Sequence, residues 1–257
     1  VSPNKKTFEK LMEKLGIEKG RYNGFVVTDS FEVMEMKRNI DGYLMYRDFQ
    51  KAKEVTKELK QHLDMNIAEN KWVIEAYEVI AAKYLREMSY QETLERLKGL
   101  AKNIYNFDEK TFSHIPMRNE VLLINNICIT LSEMGQEQES TEIYRLTIQK
   151  IKSSKVKVKH RYRSYAILLN NYMNRDREKY RNSYEGIQNE LLCGKAMEIP
   201  FCLNNTLHIL EKKGISKEES EKWAKAIYYM SDLFYFKKEK EIYRDYIRKQ
   251  CMMNLLE

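Results

Sequence analysis

Apolar residues recur along this chain at intervals of three and four rather than two, the spacing that lines one face of an α-helix. Only 9 Gly and 3 Pro interrupt its 257 residues. The pattern predicts an all-α protein without a sheet. Its first helix has clear ends: Thr7, Phe8, Leu11, Met12 and Leu15 share a face, Ser2 and Pro3 suit its start, and Gly16 stops it. The stretch 20–29 breaks the periodicity and reads as a linker. From residue 30 onward the helices come in pairs, punctuated by five similar turns at Tyr46–Ala52, Met88–Thr93, Met134–Ser140, Asn174–Glu178 and Gly214–Glu219. A period on the order of 40 residues belongs to helix-pair solenoids, in which each pair hides only part of its apolar face and stacks on its neighbours to complete a core. Residues 30–235 are therefore expected to form a right-handed superhelix of about five helix pairs with a concave groove. Residues 236–257 carry Ile242, Tyr243, Tyr246, Ile247 and Cys251 at helical spacing and are expected to cap the array, with Met252 adding to a surface for a second subunit.

Composition narrows the function classes more than it selects one. At 43% hydrophobic and 32% charged, the chain can build a sizeable core. No apolar run reaches the roughly 20 residues of a membrane span, and no secretion signal is legible, so a cytoplasmic protein is expected. The chain opens on Val1 and its first helix reads like the tail of a longer protein, which points to a C-terminal fragment. A net charge of +7 permits nucleic-acid contact, but the 45 Lys and Arg are interleaved with 38 acids. The basic run from Lys150 to Arg163 has few stacking partners and reads as a solvated loop. The four cysteines and four histidines are dispersed without metal-ligand spacing. No glycine-rich phosphate loop or nucleophile motif is present, so neither cofactor nor catalysis is expected.

The segment Ile124-Asn125-Asn126-Ile127-Cys128-Ile129-Thr130-Leu131, with Gly135 at the turn, resembles a tetratricopeptide helix. Residues 30 to 232 follow that repeat loosely, with Ala52 and Ser140 at its small second-helix position. Thr93 departs from that small residue, and Arg47 and Met88 stand in place of the turn glycine. Residues 1–19 resemble the last helix of a repressor-type helix-turn-helix domain. That helix followed by such repeats is similar to the layout of the Rgg, PlcR and PrgX group of peptide-responsive regulators. The resemblance implies a transcription regulator of the quorum-sensing kind. A short signalling peptide would bind in the groove, an N-terminal domain would bind DNA, and the protein would be a homodimer.

Asn-Asn occurs three times in the middle of a first helix, as Asn125-Asn126, Asn170-Asn171 and Asn204-Asn205. Asn costs about half a kcal/mol relative to Ala inside a helix, so its recurrence asks for a reason. A carboxamide both donates and accepts, and can clasp one peptide unit of an extended ligand whatever the ligand's side chains. Asn126, Asn205 and Asn171 share one repeat position on the expected inner surface, where the resembled regulators hold peptide. Arg38 aligns with it in the first repeat and could meet a ligand carboxylate. His208 follows Asn204 by one turn and could line the same groove. The competing reading makes these asparagines ties between neighbouring helices, and the chain a repeat scaffold that docks another protein without sensing a peptide.

Overall fold

The computed structural model describes residues 26–28, 30–116, 118–153 and 199–233, together with 240, 241, 244 and 245. The chain divides into two compact units, residues 1–156 and 157–257. In the first unit three helix pairs follow one another: α1 (Phe31–Met45) with α2 (Phe49–Gln61), α3 (Ala68–Tyr84) with α4 (Tyr90–Ala101), and α5 (Arg118–Glu133) with α6 (Glu137–Lys152). Each helix packs on the next, and α3 also touches α5, so the first helices of successive pairs meet. The second unit contains the pair α7 (Ile199–Lys212) and α8 (Lys217–Leu233). The fold is an all-α helical repeat. The first helix of the sequence, most of the linker, the fourth turn and the bulk of the C-terminal segment lie outside the described residues.

The turns explain the pairing. Arg47, Arg86, Gly135 and Gly214 adopt left-handed backbone, with φ of 59°, 60°, 78° and 82°. In each turn the left-handed residue donates its N–H three residues back and the next residue donates five back, as in Gly135 to Ser132 and Gln136 to Leu131. This double bond satisfies carbonyls that a helix end leaves open and reverses the chain within a few residues. The second turn corrects the sequence reading. Arg86, and not Met88, occupies the glycine position, because α3 ends at Tyr84 and the chain runs on through Glu87 and Met88 to the cap Ser89. The next helix is then started by a side-chain cap: Asp48 accepts from the Lys51 amide, Ser89 from that of Glu92 and Ser216 from that of Glu219.

Packing follows the predicted faces. Ile40, Ala52, Leu59 and Ile74 are fully buried around the first two pairs, and Ile124, Ile127, Leu131, Tyr144 and Ile151 do the same in the third. At the small second-helix position Ala52, Thr93 and Ser140 are all fully buried. Ser140 meets the resulting polar demand by donating to the Cys128 carbonyl oxygen at 2.8 Å. In the second unit Leu207, Ala224, Ile227 and Tyr228 make the corresponding core.

One element departs from the helical expectation. Between α4 and α5, β1 (Tyr105–Asn106) and β2 (Thr111–Phe112) pair antiparallel as a hairpin. Asn106 folds its tip by accepting from the amides of Asp108 and Glu109, and Lys110 takes φ 53°. Tyr105 is buried against the rings of Phe107 and Phe112, at 4.9 Å and 4.6 Å between centroids. Two-residue strands are too short to produce an alternating signal, which is why the sequence pattern does not reveal them. A smaller correction concerns the basic run: Lys150 and Lys152 belong to the last turn of α6, and the Lys150 ammonium reaches the Phe112 carbonyl oxygen at 3.3 Å.

Candidate functional site

The asparagine pair on α5 divides its labour between two directions. Asn125 turns toward its own partner helix, where the Tyr144 hydroxyl of α6 donates to its Oδ1 at 2.9 Å. Asn126 turns toward the preceding pair: the Tyr84 hydroxyl at the end of α3 lies 3.5 Å from its Oδ1, and its Nδ2 donates to the Leu122 carbonyl oxygen at 2.9 Å. Both are nearly buried, at 7% and 4% exposure. Asn126 thus stands at the joint between two first helices. On the same face of α5, one and two turns back, Leu122, Leu123 and Asn119 line a small apolar cleft against Trp72, Ala76 and Ile80 of α3 that opens to solvent.

The other candidates fall in different surroundings. Arg38 projects into solvent with its side chain 79% exposed and pairs with its helical neighbour Glu35, at 3.4 Å. The adjacent Lys37 is the cation that α1 turns inward, buried beside Asp41 at 3.1 Å. In the second unit α7 carries Asn204, Asn205 and His208; Asn204 Nδ2 donates to Asn205 Oδ1 at 3.3 Å, Asn205 is 9% exposed and His208 is exposed. Asn170 and Asn171 lie outside the described residues.

Charge is placed inside the same joints. Between α1 and α3 the Tyr77 hydroxyl donates to Asp41 Oδ1 at 2.6 Å, while Lys37 holds Oδ2. Between α3 and α5 the Lys83 ammonium, buried to 1% of its side chain, lies 2.7 Å from Glu133 Oε2 and 4.6 Å from the centre of the Tyr84 ring. Burial pulls the Lys83 pKa below the ordinary lysine value, with Glu133 partly opposing it. Burial and the Glu133 charge push Tyr84 up to about 12, so its hydroxyl keeps its proton as a donor at neutral pH. Tyr84 is also stacked on Phe49 of α2, with ring centroids 4.3 Å apart and planes at 10°. The ring is thereby held between three helices beside Asn126.

One buried carboxamide escaped the sequence reading. Asn70 in the first turn of α3 is fully buried. It accepts the Val27 N–H at 2.7 Å and returns Nδ2 to the Val27 carbonyl oxygen at 3.2 Å and to that of Asp64 at 3.1 Å. A carboxamide here clasps both polar groups of one residue, Val27, before α1, the chemistry expected for a ligand, on the chain's own backbone. Asn70 is not part of an Asn-Asn pair. The sequence signal is only a polar residue inside the apolar stripe of α3.

Among the described residues, no group of three or more His, Cys, Asp and Glu is arranged to hold a metal ion, and no helix is long and apolar enough to cross a membrane. Cys128 and Cys202 are buried free thiols.

No protein-family model and no curated protein matches the sequence. Solved structures do. PlcR from Bacillus thuringiensis, in complex with the peptide PapR7 and DNA, matches with a TM-score of 0.68 at 15% identity, over 95% of this chain and 85% of PlcR. The apo form of PlcR matches with a TM-score of 0.61 at 12% identity, over 95% and 88%. At such identity the likeness establishes architecture, and this chain shares the all-α helical-repeat fold of PlcR.

Proposed function

We propose that this chain is the sensor part of a peptide-responsive transcription regulator. A short signalling peptide binds in the groove of the repeat array, and an N-terminal domain binds DNA. The observation that carries the reading is the match to PlcR along 95% of the chain, PlcR itself having been solved with a peptide and DNA. The position of Asn126 supports it locally, since it lies at a joint between first helices, one helical turn from Leu122 and Leu123, which line a small apolar cleft. Asn126, with Asn205 and Asn171 at the equivalent position, supplies the backbone clasp in this proposal. Asn125, Asn170, Asn204, Arg38 and His208 are secondary contacts. The chain catalyses nothing, acts in the cytoplasm and works as a homodimer through its C-terminal segment. Peptide binding favours one arrangement of the stacked pairs and so shifts the population of DNA-competent molecules.

The intramolecular partners of Asn125 and Asn126 favour the scaffold reading, and one experiment separates the two. Asn126→Ala, Asn171→Ala and Asn205→Ala are each titrated calorimetrically with synthetic peptides taken from short secreted precursors of the same organism, and their melting is recorded. Loss of a clasp that leaves ligand groups buried and unpaired costs about 1–3 kcal/mol, so affinity is expected to fall on the order of tenfold per site. Variants that melt early yet bind as tightly as the parent overturn the clasp and leave the scaffold.

A further inference from the structure

The Asn70 clasp has a counterpart one helix pair along the array. Arg86 and Gly135 are the left-handed turn residues of the second and third pairs, and Asn119 of α5 stands the same number of residues before Gly135 as Asn70 of α3 stands before Arg86. The two carboxamides therefore occupy one repeat position, in the first turn of the first helix of a pair. A repeat array presents the same position of successive units along one surface, so what one unit holds indicates what its neighbour is shaped to hold.

Asn70 holds a strap. Residues 26–28 lie outside any helix or strand, and Asn70 takes the Val27 N–H at 2.7 Å and returns Nδ2 to the Val27 carbonyl oxygen at 3.2 Å. Val26, next to it, is buried in a core cluster with Val73 and Tyr77 of α3, against which Trp72 packs. Val27 keeps its own side chain 45% exposed. The strap is thus recognised through one clasped backbone unit and one aliphatic side chain sunk beside it.

The seam between α3 and α5 offers the same chemistry to solvent. Trp72, Val73 and Tyr77, joined by Ala76 and Ile80, line the small cleft whose α5 wall is Asn119, Leu122 and Leu123. Trp72 is fixed in place, its indole N–H donating to the Leu100 carbonyl oxygen of α4 at 3.0 Å. Asn119 and Leu122 are half-buried, so a ligand can reach them.

We propose that Asn119 is a further backbone clasp, which takes one residue of a separate short peptide while the neighbouring small aliphatic side chain of that peptide enters the cleft. A carboxamide has two N–H groups and an oxygen with two lone pairs, so a clasp tolerates a further bond within the protein, as Asn70 does in also binding the Asp64 carbonyl oxygen at 3.1 Å. Asn119 lies two helical turns from Asn126 on one face of α5, about 10 Å along the axis, which about three residues of extended chain span. One peptide can therefore engage both. The class of ligand rests on the peptide-sensing reading, to which this site adds a second contact and a preference for Val or Ala over an aromatic side chain.

The test uses acetyl-Val-Val-Thr-amide, which copies residues 26–28, titrated at millimolar concentration into the full chain and followed by NMR. Shifts are expected at the Asn119 side-chain amide and the Leu122 and Leu123 methyls. Asn119→Ala is expected to weaken binding on the order of tenfold, and so is N-methylation of the second Val of the peptide, which removes the donor that Val27 supplies in the strap. Replacing the first Val of the peptide by Phe is expected to weaken it as well. No shift on α5, shifts confined to α1 and the strap, or an N-methylated peptide that binds as tightly as its parent would each overturn the site. The N-methylated peptide decides the matter should Asn119→Ala fail to fold. Secreted-precursor peptides that bind through Asn126 while the strap copy does not would remove this site and leave the sensing reading standing. The strap copy binding at Asn119 where none of those peptides binds would do the reverse.

Discussion

At the scale of single residues, the structure separates polar groups that hold the fold from those left to bind. Asn70 holds it. Asn70→Ala removes three hydrogen bonds and strands the N–H and carbonyl of Val27, which is expected to cost about 2–4 kcal/mol in urea unfolding. Asn70→Asp keeps the acceptor for the Val27 amide but meets two carbonyl oxygens with a charge, so it is expected to rescue little. Lys83 and Glu133 should prove unequal although they are one pair. Glu133 is one-third exposed and water can solvate it alone, whereas Lys83 is enclosed. Glu133→Ala therefore leaves a buried uncompensated cation and is expected to destabilise by about 3 kcal/mol, while Lys83→Met should fall within about 1 kcal/mol of the parent. Equal losses from both variants in denaturant titrations would contradict this account.

At the scale of elements, the turns carry the repeat, and left-handed backbone is what they share. Arg47 and Arg86 pay about 1–2 kcal/mol for a conformation that glycine enters freely. Arg86→Gly is accordingly expected to raise stability by about 0.5–1 kcal/mol, part of the relief being offset by the freer unfolded chain. Gly135→Ala should do the reverse. A Cβ at Gly135 would meet nothing within 4 Å, so its cost, about 1 kcal/mol, comes from the φ of 78° alone. Thermal melts of the two variants moving in the same direction would refute the assignment of Arg86 to the glycine position. The four left-handed residues of the helix-pair turns, Arg47, Arg86, Gly135 and Gly214, stand about 40, about 50 and about 80 residues apart. The longer second interval contains the hairpin, and the third leaves room for two repeat lengths.

At the scale of the whole molecule, buried tyrosines set a limit on alkaline stability. Burial raises both Tyr84 and Tyr105 from 10.0 to about 12, with Glu133 adding to the first and Glu142 to the second. The folded state thus favours their neutral forms. Their contribution is complete below pH 10.0 and is lost as pH climbs toward about 12. Lys83 works in the opposite sense over the range below 10.5, because its buried charge is relieved on deprotonation. The tyrosines are expected to dominate above pH 10, where unfolding free energy should fall steeply, and Tyr84→Phe, which keeps the stack on Phe49, should make that fall shallower. An unchanged alkaline slope in Tyr84→Phe would show that its ionisation is not coupled to folding.

How much of this was legible beforehand depends on whether the information is local. The apolar period of three to four, the glycines at 135 and 214 and the caps at Asp48, Ser89 and Ser216 are properties of a few consecutive residues, so the helix pairs and most of their turns follow from the sequence itself. Helix propensity, capping and the cost of left-handed backbone act within one turn of chain and need no distant partner. Arg86 was hidden because arginine carries no turn signal and is forced into the glycine conformation by the helices it joins. The hairpin was hidden because its stability lies in Tyr105, Phe112 and Ser113 meeting across the loop, and not in any strand periodicity. The asparagines show the same boundary most sharply. Sequence identified a carboxamide chemistry at Asn125 and Asn126, but only the stacking of α3, α5 and α6 decided that one faces Tyr144 and the other Tyr84. It likewise decided that Asn70, unremarkable in the sequence, is the carboxamide that closes on a peptide backbone, because Val27 lies 43 residues away along the chain and is brought to it by packing alone.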